Sequence, residues 1–379
     1  MAKKKKKKFS SFLDNPVDYT LLITVFLLLT LGLIMVLSAS TPTSLAESGK
    51  SYKYFLKQAI FAIIGLVAMA LISKIDYRFY KKFYKWFYVI SFVLLALVLI
   101  AGKKINGARR WIYVTDTLSF QPSELVKFGM IIFYAGILTR DREELKYFLK
   151  GWVKHLLWLV PIIGLLIIEP HLSASIVIIG VVGIMMVVAG CKLWQIIIPG
   201  TVVGIPAMGI AIWKIPKFAH ALKRITTFMD PWQDQLGDGW QVIQSLYAIG
   251  SGGLFGVGLN QSKQKYLYLP EPQNDFIFSV LAEELGFIGC TFVIILFAIF
   301  IWRGILIAMK APDMFGSLVA TGITALVGIQ VIMNIAVVTS SMPATGMPLP
   351  FFSYGGTALF IMLCQIGVLL NISRAGRKT

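Results

Sequence analysis

The chain has 379 residues, of which 57% are hydrophobic and only 14% charged, and its formal charge is +18. With a mean hydropathy of +0.76 and apolar runs of about 20 residues recurring along its length, it reads as an all-α polytopic membrane protein, which excludes a soluble enzyme or binding domain. No compact basic domain or aromatic-interleaved basic stripe accompanies the charge, so nucleic acid is not an expected partner. Cys191, Cys290 and Cys364 lie in or beside apolar runs without CxxC spacing, which indicates neither a disulfide framework nor a zinc site.

In chain order, residues 1 to 18 read as a basic cytoplasmic tail, with Lys3 to Lys8 lying against anionic headgroups. The run that follows is too long for a signal-peptide core and no small-residue cleavage site is evident, so an uncleaved first helix is expected. Ten transmembrane helices are predicted, roughly at 19 to 39, 54 to 73, 83 to 101, 122 to 138, 153 to 168, 172 to 189, 194 to 213, 276 to 302, 314 to 338 and 357 to 373. Residues 19 to 373 then form one ten-helix domain, and 374 to 379 a second basic cytoplasmic tail. Lys and Arg concentrate in the two tails and in the connections around 74 to 85 and 140 to 154. Short basic connections resist translocation, so both termini are placed inside.

Two connections on the outer side are then unusually basic. One spans 102 to 121 and carries Lys103, Lys104, Arg109 and Arg110; the other is a large extracellular loop, 214 to 275, between spans seven and eight. Positive charge there points to an anionic ligand, with ordinary solvated loop charge as the plainer alternative. The long loop holds Trp232, Trp240, Ile243, Leu246, Tyr247 and Ile249. This apolar face at helical spacing suits a helix in the outer headgroup layer or one packed on the bundle. The glycines of Gly250 to Gly258 do not spell GxGxxG after a strand, so they are not a nucleotide site.

The next stretch, LPEPQNDFIFSVLAEELGFIG from Leu269 to Gly289, places Asp275, Glu283 and Glu284 at the mouth of an apolar run in a chain poor in acids. Carboxylates near hydrocarbon usually face water, a partner charge or a substrate. On a helix Glu283 shares a face with Asp275 while Glu284 points away, so Glu284 is expected to be structural and Glu283 is left open. Asp275 and Asn274 also suit an N-cap. Earlier in the chain, Glu124 and Lys127 are three apart and can pair at the start of the fourth span. The return loop SSMPATGMPLPFFSYGG, Ser340 to Gly356, is too rich in Pro and Gly for a helix, and irregular backbone at that depth lines a cavity. Ser353 in this loop is a candidate substrate contact.

These stretches, together with NGARRWI (Asn106 to Ile112), FQPSELVKFGMI (Phe120 to Ile131) and DPWQDQLGDGWQVIQSLYAIGSGGLFGVGL (Asp230 to Leu259), make the chain similar to the SEDS family (shape, elongation, division, sporulation) over nearly its whole length. The LPEPQ and NDFIF wording resembles the FtsW and SpoVE branch more than RodA. One departure is Glu169-Pro170-His171-Leu172-Ser173, where family members often carry Asp-Leu-Gly, so no role is assigned to His171. The resemblance implies a plasma-membrane peptidoglycan glycosyltransferase of cell wall biogenesis that polymerises lipid II at the outer face, with a class B penicillin-binding protein as partner. It implies that Asp275 is the essential aspartate and that Glu124 and Lys127 are the fourth-span pair. The chemistry expected is an inverting displacement of undecaprenyl diphosphate, with Asp275 as general base. Substrate contacts are expected from Lys103, Arg109, Arg110, Glu124, Lys127, Glu283 and Ser353. The leaving charge is met by these cations or by a divalent cation held by carboxylates. A lipid II flippase and a non-catalytic divisome scaffold are the alternatives; a flippase should carry polar groups through the whole membrane depth rather than at one edge.

Overall fold

The computed structural model describes residues 16–105, 108–113, 119–195, 227–235, 237, 239–266 and 268–376. Its long helices are α1 (Tyr19–Ser48), α2 (Lys53–Ile72), α3 (Tyr84–Ala101), α4 (Pro122–Arg140), α5 (Lys154–Ile168), α6 (Leu172–Ala189), α7 (Trp240–Gly252), α8 (Ile277–Met309), α9 (Met314–Val338) and α10 (Gly356–Gly376). Among the described residues nine of these, all but α7, are long and apolar enough to cross a membrane, α5 when counted with the helical turn before it, Lys150–Ile168. They match nine of the ten expected spans; the seventh, 194 to 213, falls almost wholly outside the described residues. The first and eighth outrun expectation, because α1 carries Pro42 within its last turns and α8 continues to Met309.

Helices α4, α9 and α10 form the enclosed centre, with α2, α3 and α5 outermost. The apolar residues of α4 from Met130 to Leu138 are buried all round the helix, as expected of a helix surrounded by others. In the connection expected as a basic outer loop, the described residues form a three-stranded antiparallel sheet, β1 (Lys103–Ile105), β2 (Ala108–Tyr113) and β3 (Ser119–Phe120). The helix expected in the long loop, α7, packs on the bundle. Ser245 Oγ lies 2.6 Å from Ser279 Oγ of α8 and donates to the Val338 carbonyl at 2.7 Å.

Helix α8 is two helices joined at a break. Gly286 sits at φ 65°, ψ −167°, a backbone state open to glycine and to few other residues. The break frees backbone groups that hydrocarbon cannot solvate, and the glycine-rich segment answers them. Val257 N and Gly258 N donate to the carbonyls of Glu283 and Glu284 (2.9 and 3.1 Å), and Phe287 N and Ile288 N donate to those of Gly253 and Leu254 (2.9 and 3.1 Å).

The helix ends gather into two clusters. At one end Asp18 caps α1 by accepting from Leu21 N (3.0 Å), pairs with Arg303 of α8 and donates its own N–H to Ser373 Oγ. There too the Tyr77 hydroxyl donates to Asp313 (2.6 Å). The opposite end holds the sheet, the 269–276 segment and the return loop after α9, and it carries every candidate site residue described below.

Candidate functional site

Asp275 precedes α8 by two residues and is half-buried. It is no N-cap: the cap position is Phe276, with no side-chain hydrogen bond. What holds it is a row of carbonyl clamps. The Gln273 carbonyl accepts Tyr354 N at 2.8 Å, the Asn274 carbonyl accepts Ser353 Oγ at 2.6 Å, and the Asp275 carbonyl accepts Asn334 Nδ2 at 2.8 Å. Asn334, from the interior of α9, also donates to the Met347 carbonyl at 2.7 Å. Gln58 of α2 completes the frame, donating to the Ser353 carbonyl (3.2 Å) and accepting from Gly355 N (3.1 Å). Glu271 accepts from the side-chain amides of Gln273 and Asn274 (3.2 and 2.8 Å).

The carboxylate of Asp275 abuts the return loop at Gly346, where a Cβ would lie 3.3 Å from Oδ2. Gly346 is exposed and has φ +66°. The absence of a side chain there leaves the carboxylate open on that side.

Glu124 and Lys127 pair at 2.8 Å on the first turns of α4, with Lys127 only 4% exposed. Lys127 also heads a crevice between α4, α6 and α9, lined by Met130, Val177, Val181 and Leu326. Arg110 of β2 donates to the Pro170 carbonyl in the turn between α5 and α6. That turn carries two shifted groups: burial pushes the Glu169 carboxyl up to about 8 against the opposing pull of Arg110. Burial, with Arg110 and Lys127, pushes His171 down to about 3. The next residues reach the return loop, since Ser173 Oγ donates to the Thr345 carbonyl. Asp275, Gly346, Thr345, Ser173, Arg110, Glu124 and Lys127 therefore belong to one neighbourhood.

Other expected contacts lie elsewhere. Successive strand residues point to opposite faces, so Arg109 turns away from Arg110 and its guanidinium donates to the Leu99 carbonyl at 2.8 Å in an exposed position. Lys103 is exposed over the Tyr113 ring, 5.2 Å from its centroid. Glu283 is 2% exposed and accepts from Ser262 Oγ, Lys263 N (2.8 Å) and Gln264 N (3.4 Å). Glu284 is buried too, bonded to Ser38 Oγ (2.6 Å) and paired with the fully buried Lys265 at 2.8 Å. Both glutamates thus fasten the loop before α8 to its first half. The Ser353 hydroxyl, bonded to Asn274 and to Leu349 N (2.7 Å), fastens the return loop. Among the described residues no three His, Cys, Asp or Glu side chains come together as metal ligands.

Residues 19–378 match the cell cycle protein family model of FtsW, RodA and SpoVE. Stage V sporulation protein E of Bacillus subtilis (strain 168) is 45% identical over 362 residues, 95% of this chain and 98% of that protein. A probable peptidoglycan glycosyltransferase FtsW of Trichlorobacter lovleyi is 42% identical over 95% of this chain and 94% of that one. Among solved structures, a chain from a study of how a peptidoglycan synthase complex coordinates polymerization and crosslinking superimposes with a TM-score of 0.79, at 29% identity, over 96% of this chain and 99% of that one. The rod shape determining protein RodA of Thermus thermophilus gives a TM-score of 0.68 at 27% identity, over 94% of this chain and 97% of its own.

Proposed function

The chain belongs to the FtsW, RodA and SpoVE family of cell cycle proteins, and from that membership we propose that it polymerises lipid II into glycan strands at the outer face of the plasma membrane. It is a multi-pass membrane glycosyltransferase, and the observation that carries the finer reading is Asp275. Three successive carbonyls clamp its backbone while its carboxylate stays half-buried against a glycine at the bundle's rim.

Joining an α-linked sugar diphosphate to an acceptor through a β-1,4 bond inverts the anomeric carbon, so a single displacement with one base is enough. Asp275 takes the proton of the acceptor 4-hydroxyl as its oxygen attacks the anomeric carbon. The bond from that carbon to the diphosphate breaks, and undecaprenyl diphosphate leaves with both electrons. A positioned base of this kind contributes roughly 10² to 10⁴ in rate. Charge grows on the leaving diphosphate, and Lys127 and Arg110 are the cations placed to meet it. Glu124 keeps the Lys127 ammonium paired at the membrane edge when substrate is away. The lipid chain stays in the bilayer, between or beside the spans.

The partner proposed is a class B penicillin-binding protein, whose transpeptidase domain cross-links the new strand; the fold shared with a chain of a peptidoglycan synthase complex supports this. The test is reconstitution of the full chain with such a partner and labelled lipid II. Wild type makes polymer and Asp275→Asn makes none, while partner binding is kept. Normal glycan synthesis by Asp275→Asn would remove the base from this reading.

A further inference from the structure

The turn Glu169-Pro170-His171-Leu172-Ser173 has no part in the displacement described above, yet it is unusually poor in partners. Glu169 is 2% exposed and Ser123 is 1% exposed. Buried polar atoms of both, Glu169 Oε1 and Ser123 Oγ, lack a hydrogen bond, as do His171 Nδ1 and Thr345 Oγ1. Among the described residues nothing bonds to these atoms, and a buried polar atom without a partner is costly, so a group of them marks a place shaped for a polar occupant.

Shared neighbours link the four. Arg110 donates to the Pro170 carbonyl, between Glu169 and His171. Lys127 is close enough to act electrostatically on His171, and Ser123, one helical turn before Lys127, shares its face of α4. Ser173 ties the same turn to the carbonyl of Thr345. The residue after Thr345 is Gly346, against which Asp275 rests. Thr345 and the base thus border a single short piece of the return loop, to which Ser173 ties the turn that holds Glu169 and His171.

We propose that Ser123, Glu169, His171 and Thr345 form a subsite for an uncharged hydrogen-bonding part of the substrate, a sugar hydroxyl or acetamido group, beside the diphosphate that Arg110 and Lys127 attract. This rests on the polymerase reading and narrows it to a position. The choice of a neutral occupant follows from the groups themselves. With its carboxyl held at about 8, Glu169 keeps its proton at neutral pH and donates it in a hydrogen bond. With its imidazole at about 3, His171 is uncharged there too. Among the described residues, the charged side chains that act on the turn are Arg110 from β2 and Lys127 from α4, and both suit the phosphates. A site built to hydrogen-bond a sugar group discriminates strongly against a ligand lacking it.

The experiment measures Kd on the purified full chain for two probes with the same short lipid: a farnesyl-linked disaccharide diphosphate and farnesyl diphosphate. Glu169→Ala is expected to weaken the disaccharide probe about tenfold, the loss of one good hydrogen bond, and to leave farnesyl diphosphate unaffected. Glu169→Gln, which restores a neutral donor, recovers most of that loss. Wild-type affinity for the disaccharide probe falls above about pH 8 as Glu169 ionises, and the fall is absent in Glu169→Gln. Equal weakening of both probes by Glu169→Ala, or weakening of neither, overturns the subsite. Failure of wild type to bind either probe overturns the polymerase reading along with it, whereas a loss confined to the sugar-bearing probe supports both.

Discussion

The proposed role of Asp275 as proton acceptor requires its carboxylate to keep one direction, and Gly346 leaves the room for it. A Cβ there would stand 3.3 Å from Oδ2 and would sit on a backbone with φ +66°. Gly346→Ala is therefore expected to lower polymerisation at least tenfold while costing about 1 kcal/mol of stability, read by lipid II turnover beside thermal unfolding. The two arginines of β2 separate in the same assay. Arg110→Ala, facing Pro170, should weaken lipid II use, and Arg109→Ala, bonded to Leu99 on the exposed side, should act as wild type. The acids were legible in the sequence because carboxylates beside hydrocarbon are scarce. The choice between Arg109 and Arg110 was not, since it depends on strand alternation in a connection too short to signal a strand. Asn334 and Gln58 went unnoticed for a different reason. An amide within an apolar span looks the same whether it clamps a catalytic loop or joins two helices, although its rarity there is itself a signal.

At the scale of elements, the loop from Gly253 to Lys265 and the first half of α8 form one unit. Glu283 and Glu284 are spent on that loop, and Lys265 and Glu284 are both fully buried. Removing one partner strands the other charge, so Lys265→Met should destabilise by about 3–5 kcal/mol, whereas the double change with Glu284→Leu should recover much of it. Thermal unfolding in detergent compares the two. At the start of α4, reversing Glu124 or Lys127 alone should impair polymerisation more than reversing both, because the double change restores a pair at 2.8 Å; equal damage in all three variants would argue against pairing. Helix spans were readable from apolar run length. The break at Gly286 was not, because a single glycine in an apolar run gives no notice of φ +65° or of the chain that fills the gap.

For the whole molecule, the two ends of the bundle serve different purposes. One is closed by Asp18 with Arg303 and by Tyr77 with Asp313; the other holds the base and the return loop. From the concentration of Lys and Arg in the tails and the connections at the first end, we propose that the second end faces outside. A cysteine introduced at the exposed Glu271 should react with a membrane-impermeant maleimide on intact cells, and one at exposed Arg78 only after permeabilisation. The reverse pattern would invert the orientation and remove the site from the glycan's side of the membrane.

The segment that fills the gap in α8 lies before it in the chain, so it leaves the ribosome first. When the broken span is made, the backbone that must satisfy its exposed amides has already been synthesised. Biogenesis of this span is consequently a docking event rather than a simple insertion, and lengthening the tether between Lys265 and Asp275 should slow maturation before it alters turnover.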